Sequence, residues 1–121
     1  MDGATIVKDA TSRKSDLLPG TLEMLILKTL DRNDDPMHGY GIALYIKQIS
    51  REVLRVEEGS LYPALQRLTV KGLINGAWRD SDTGRRARYY KLTAAGRKQL
   101  IEEVADFEKL LEAILRVVQP A

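Results

Sequence analysis

The chain has 121 residues, 44% of them apolar and 30% charged, with a formal net charge of +2 and no cysteine. That is the length of one domain with a modest core and no separate sensor domain, and the missing thiols exclude disulfides and thiolate metal sites. No apolar run approaches the ~18 residues of a membrane span, and residues 1–16 are too polar and acidic for a signal peptide, so a cytoplasmic protein without membrane contact is expected.

Residues 1–16 show no periodicity and set Asp2, Asp9 and Asp16 against Lys8, Arg13 and Lys14, the pattern of a flexible tail. Pro19 suits a first helical turn, where its missing N–H is not needed. Leu22, Leu25, Ile26 and Leu30 then repeat at helical spacing, which predicts a helix over residues 19–30, broken by Asn33, Asp34, Asp35 and Pro36. A second helix follows Gly39, with Ile42, Ile46 and Ile49 on one stripe and Tyr40, Leu44, Lys47 and Arg51 on the other side. His38 is the only histidine. No carboxylate spacing around it suggests a metal site, and its place before Gly39 suggests a helix-start role.

A third helix is expected to begin at Ser60, whose hydroxyl is placed to cap the N–H of Tyr62. Pro63 then falls in the first turn and breaks no internal bond, and Glu57 and Glu58 stand where the helix dipole favours negative charge. Leu61, Leu65 and Leu68 form the buried stripe, and Lys71 with Gly72 ends the helix. The opposite side offers Tyr62, Pro63 and Gln66, flanked by Arg67. Residues 73–79 read as a strand, 81–84 as a turn, and 87–92 as a second strand with Tyr89 and Tyr90 on opposite faces. Arg85 and Arg86 sit at the hairpin tip, and Trp78 is expected to pack in the core or at the wing base, with a stacking role as the alternative. Thr93 caps a last helix that runs from residue 94 to about 118 and stops before Pro120.

Two patterns point toward function. Residues 79–98 carry seven basic side chains against Asp80 and Asp82, while residues 99–112 carry five acids against Lys109. Such a division gives a field with direction, as a one-sided contact with a polyanion requires. In the last helix, Leu100, Val104, Phe107, Leu111, Ile114 and Val118 alternate by four and three, the heptad spacing of a helix lying along another helix. Its C-terminal half is too apolar to be left wet, so a partner chain is expected.

Helix, helix, helix, strand, basic loop, strand is the plan of a winged helix-turn-helix. The expected fold is α+β, mainly α: three helices and a two-stranded wing over residues 17–93, then a dimerisation helix over residues 94–121. The segments LLPGTLEMLILKTL, MHGYGIALYI, VEEGSLYPALQRLTVKGLI and RRARYYKLTAAGRKQL resemble the PadR-type transcriptional regulators, in particular the short class with one C-terminal helix. The resemblance spans about residues 17–118. It implies a homodimeric repressor with its third helix in the major groove and its wing at the minor groove or the backbone, dimerised through the last helix. Many such regulators release DNA when a small molecule binds near the dimer interface.

The expected DNA-binding residues are Tyr40, Lys47, Ser60, Tyr62, Pro63, Gln66, Arg67, Arg85, Arg86 and Arg88. The partner is double-stranded DNA, read as a pseudo-palindromic operator. Neither catalytic constellation nor cofactor is expected. The competing function is a winged helix that binds protein and no nucleic acid. A protein-binding module has no need for Arg85, Arg86 and Arg88 beside an outward Tyr62 and Gln66.

Overall fold

A computed structural model describes residues 17–80 and 82–120. The expected tail over residues 1–16 lies outside them, as do Ser81 and Ala121. The elements are α1 (Pro19–Arg32), β1 (Met37–His38), α2 (Gly39–Ile49), α3 (Glu58–Val70), β2 (Ile74–Asp80), β3 (Arg86–Leu92) and α4 (Ala94–Val118). Three helices pack on one side of a small antiparallel sheet, and α4 leads away from it. This is a mainly helical winged-helix architecture.

The core draws on every layer. Leu22, Ile26, Leu27 and Leu30 of α1 meet Ile42 and Ile46 of α2, Leu61, Ala64, Leu65 and Leu68 of α3, and Ile74, Tyr90 and Leu92 of the sheet. The predicted stripes of these helices are therefore the buried ones, except that Leu25 of α1 is only partly buried and Ile49, at the end of α2, is exposed. Leu100 of α4 also belongs to this core.

Helix α3 ends on a residue-specific device. Gly72 has φ +75, its N–H donates to Thr69 O at 3.0 Å, and Leu73 N–H donates to Leu68 O at 3.0 Å. This is the Schellman arrangement, which glycine enters without strain. Helix α2 ends on the same pair of bonds, with Arg51 N–H on Gln48 O and Glu52 N–H on Lys47 O. There Arg51 and Glu52 take positive φ, 54 and 65, so two side chains carry a conformation that glycine would adopt freely. Arg51 thus lies past the helix rather than on its outer side.

The sheet has the order β1-β3-β2. Strand β1 is too short to leave a periodic signal. It pairs Met37 with Tyr90 and His38 with Tyr89, adding a third strand to the expected two. Hairpin β2–β3 is in register from Ile74–Leu92 to Asp80–Arg86. Gly84, with φ +82, turns it.

The start of α3 differs from the expectation. The helix begins at Glu58, with Glu57 as its cap residue and no side-chain capping bond. Ser60 lies inside the first turn and donates its own N–H to Glu57 O at 3.0 Å. Pro63 consequently falls in the second turn, where it withholds the donor that the Gly59 carbonyl would use. That carbonyl is on an exposed residue, where water can serve it.

One buried charge lies in the helical core. Glu23 is 6% exposed and accepts from Arg67 Nε at 2.7 Å and Lys71 Nζ at 3.0 Å. Burial raises the pKa of its carboxyl, but the hydrogen bonds from Arg67 and Lys71 outweigh that and hold it below the ordinary value of 4.5. A carboxylate with a depressed pKa contributes stability above its unfolded pKa and loses it as pH falls through the folded one. Glu23→Gln is therefore expected to cost about 1–2 kcal/mol at pH 7, since both cations also reach solvent. Urea melts should show the gap between variant and parent closing below about pH 4.5. A gap that stays constant down to pH 3 would show that the charge contributes nothing.

Candidate nucleic-acid interface

The exposed side of α3 is set by its buried side. Leu61, Leu65 and Leu68 face inward, which turns Tyr62, Pro63 and Gln66 to solvent. Tyr62 is positioned by Gly39: a Cβ on that glycine would stand 2.9 Å from Tyr62 Cε1. The first residue of α2 therefore must be small for the tyrosine ring to lie where it does. The preceding residue, His38, caps α2 by accepting the Gly41 N–H on Nδ1 at 3.0 Å. Its ring meets Tyr89 edge-on, with centroids 5.2 Å apart.

Tyr40 and Leu44 are exposed along α2, and Lys47 lies on the same side. Tyr40 and Lys47 border a hollow of about 360 Å³ between α2 and the loop before α3, with Arg55 and Glu58 across from them. Tyr40, Lys47 and the outer side of α3 thus form one continuous surface.

Arg67 does not belong to that surface. Its guanidinium is turned toward α1, where Nε donates to Glu23, while part of the side chain still reaches solvent. Ser60, neither cap nor prominently exposed, is likewise not on the outer row of α3. Both depart from the expected site. A signal for the first was available: Glu23 stands three and four residues before Ile26 and Leu27, on the apolar stripe itself, and a carboxylate there needs a cation.

The wing carries the arginines. Arg85 and Arg86 are exposed at its tip, and Arg88 is partly covered on β3. The ion pairs of the described residues engage Lys28, Arg67, Lys71 and Arg97, leaving these three out. Arg79 lies on the opposite face of the hairpin, with its guanidinium 4.3 Å from the Tyr89 ring centre. Burial pushes the Tyr90 hydroxyl above its ordinary pKa of 10.0, against the pull of Arg88, so it stays protonated and able to donate at neutral pH.

Trp78 is not core. It is 58% exposed, because the hairpin outruns the helices that cover its base. Among the described residues no three His, Asp or Glu side chains converge as metal ligands. No helix among them is long and apolar enough to cross a membrane.

A three-helix core, an outward third helix and a basic two-strand wing define a winged helix-turn-helix protein of the DNA-binding type. The chain belongs to the Transcriptional regulator PadR-like family, whose pattern matches residues 26–102. Members of that family are transcriptional regulators, not enzymes. The transcriptional regulator Rv3488 of Mycobacterium tuberculosis is 39% identical over 82 residues, which cover 68% of this chain and 73% of that one. Among solved structures, a transcriptional regulator of Clostridium thermocellum superposes with a TM-score of 0.75 at 28% identity, covering 87% of this chain and 97% of that one. A PadR-like regulator of Bacillus cereus gives 0.68 at 27% identity, with 84% and 95% covered.

Proposed function

We propose that the protein is a cytoplasmic repressor that binds a pseudo-palindromic DNA operator as a homodimer, joined through α4. The observation that carries the reading is the pairing of an outward Tyr62–Pro63–Gln66 row with wing arginines that no described carboxylate holds. Helix α3 enters the major groove and reads bases, and the wing lies on the phosphates. Tyr40 and Lys47 add backbone contacts beside α3. A small-molecule effector near the dimer interface would release the DNA.

The dimer rests on the C-terminal half of α4. Val104 still packs against the core, but Phe107, Leu111, Ile114 and Val118 are all exposed in the single chain. Leu100 drops out of the expected seam, since at 3% exposure it has no surface left to offer a partner. The apolar face continues onto Leu18, which shares a hollow with Met24 and Phe107.

Selection of bound sequences from random duplex DNA tests the whole reading, because it reports binding, half-site symmetry and spacing together. Half-sites should lie about one helical turn apart (~10 bp) or a multiple of it. A protein that enriches no sequence and is not retained on DNA at low salt would favour the protein-binding alternative.

Two side chains divide the work and can be separated. Arg86→Ala should weaken binding to all duplexes about equally and flatten the log–log salt dependence by about one unit. Gln66→Ala should cost on the order of 1–3 kcal/mol on the selected operator and much less on random DNA, since Gln suits a bidentate contact with adenine. Competition titration of both variants against both DNAs distinguishes the roles. Equal losses on operator and random duplex for Gln66→Ala would remove base reading from that residue.

A further inference from the structure

The chain has one tryptophan, Trp78, and the hairpin register fixes its face. Trp78 lies opposite Arg88, Gly76 opposite Tyr90, and Ile74 opposite Leu92. Directly opposed residues of an antiparallel pair share a face, so Trp78 stands on the same side as buried Ile74, Tyr90 and Leu92. Helices cover that side only at the hairpin base. Beyond Tyr90 the face is open, and it forms one wall of a groove of about 560 Å³, with Tyr40 and Tyr62 across from Trp78, Arg86 and Arg88. No carboxylate is among the residues that line it; Asp80 stands opposite Arg86 on the same face, at the far end of the strand. The Arg88 guanidinium crosses the groove floor over Gly76, where a Cβ would stand 2.4 Å from Nε. The glycine thus clears the space in which the cation lies.

An apolar ring between two guanidinium groups matches the chemistry of a nucleic-acid backbone, which alternates a carbon-rich sugar with an anion. We propose that this groove seats the sugar–phosphate backbone of one operator strand: the Trp78 indole packs on a deoxyribose, and Arg86 and Arg88 hold the flanking phosphates. The inference rests on the DNA-binding reading above and adds to it a contact of a different kind. Arginine contacts release counterions and depend on salt. An indole on a sugar releases none, so its contribution should be independent of salt.

A lone tryptophan makes the test direct. Binding of a labelled duplex is followed by anisotropy, and Trp78 emission and its quenching by acrylamide are followed in the same titration. The expected result is that DNA shifts Trp78 emission in step with anisotropy and shields the indole from acrylamide. Trp78→Ala should then bind roughly tenfold more weakly with an unchanged salt slope, and Trp78→Phe should recover most of the loss. Because the side chain is exposed, circular-dichroism melts of both variants should match the parent. If the duplex binds while Trp78 emission and shielding stay constant, or if Trp78→Ala binds like the parent, the inference is overturned and the DNA-binding reading stands. If no duplex binds by anisotropy, both are overturned. Titration with adenosine monophosphate is the third arm: shielding of Trp78 by the nucleotide but not by duplex would make the groove a small-anion site and overturn the proposal.

Discussion

The double variant Leu111→Asp, Ile114→Asp is expected to sediment as a monomer and to lose about 10²–10⁴ of its affinity for a two-half-site operator. Both residues lie on one face of α4, 43% and 46% exposed in the single chain. They share that face with Phe107, Leu110, Leu115 and Val118, all exposed. A soluble protein rarely leaves such a contiguous stripe in water. Placing two carboxylates in it imposes a desolvation cost that no nearby cation on the stripe offsets. The winged domain should survive, because its core stops at Leu100 with Val104 packed against it, several residues before the substitutions. Circular dichroism should therefore report a folded protein while sedimentation reports the smaller mass. Binding to a single half-site should change little, which separates loss of the dimer from damage to α3. A double variant that stays dimeric would place the interface elsewhere.

Much of this architecture was legible in the chain, and the reason is periodicity. Leu61, Leu65 and Leu68 repeat at helical spacing, and their burial alone turned Tyr62, Pro63 and Gln66 outward. The Gly72 stop and the Thr93 cap were equally local: a glycine can enter a positive φ cheaply, and a threonine hydroxyl reaches the N–H of Gly96, 2.9 Å away.

What escaped depended on distance in space. Strand β1 spans Met37 and His38 only, and its partner β3 is some fifty residues further on, so no local pattern announces it. Arg67 read as a surface cation because its partner Glu23 is 44 positions away. Ser60 looked like a cap because capping chemistry is local, yet Glu57 already has the extended backbone that starts the helix. The apolar character of residues 73–79 did place Trp78 in a strand at the wing base. It could not tell how far the hairpin extends beyond the helices, which is what leaves the indole open to solvent.

The second large effect is expected at Gly96. Gly96→Ala should destabilise the fold by about 1–3 kcal/mol, and Gly96→Val by more, lowering the melting temperature by on the order of 10 °C. The position looks permissive, since it is in the first turn of a helix with ordinary backbone angles. Its constraint comes from α4 starting against Leu73, in the link between α3 and β2, and against Leu92. A Cβ on Gly96 would stand 2.0 Å from the Leu73 carbonyl oxygen and 2.7 Å from Leu92 Cδ1. The first of these is backbone and cannot swing aside. It is also held in place, accepting the Thr93 N–H at 3.1 Å with the Thr93 hydroxyl 3.0 Å away. Relief requires α4 to lift from the winged domain, which would pull Leu100 out of the core. The functional consequence follows from the same joint. If α4 joins the two subunits, its angle at Gly96 sets the separation of the two α3 helices and hence the half-site spacing they accept. Gly96→Ala should then lose affinity for the selected operator more than for an isolated half-site, while Thr93→Val, which removes the cap and the hydroxyl's bonds to the Gly72 and Leu73 carbonyls but keeps the Thr93 N–H on Leu73 O, should cost about 1–2 kcal/mol of stability and leave the spacing preference intact. Thermal melts together with binding to operators of altered spacing check both statements. A Gly96→Ala protein that melts like the parent would mean that α4 does not start this close to Leu73.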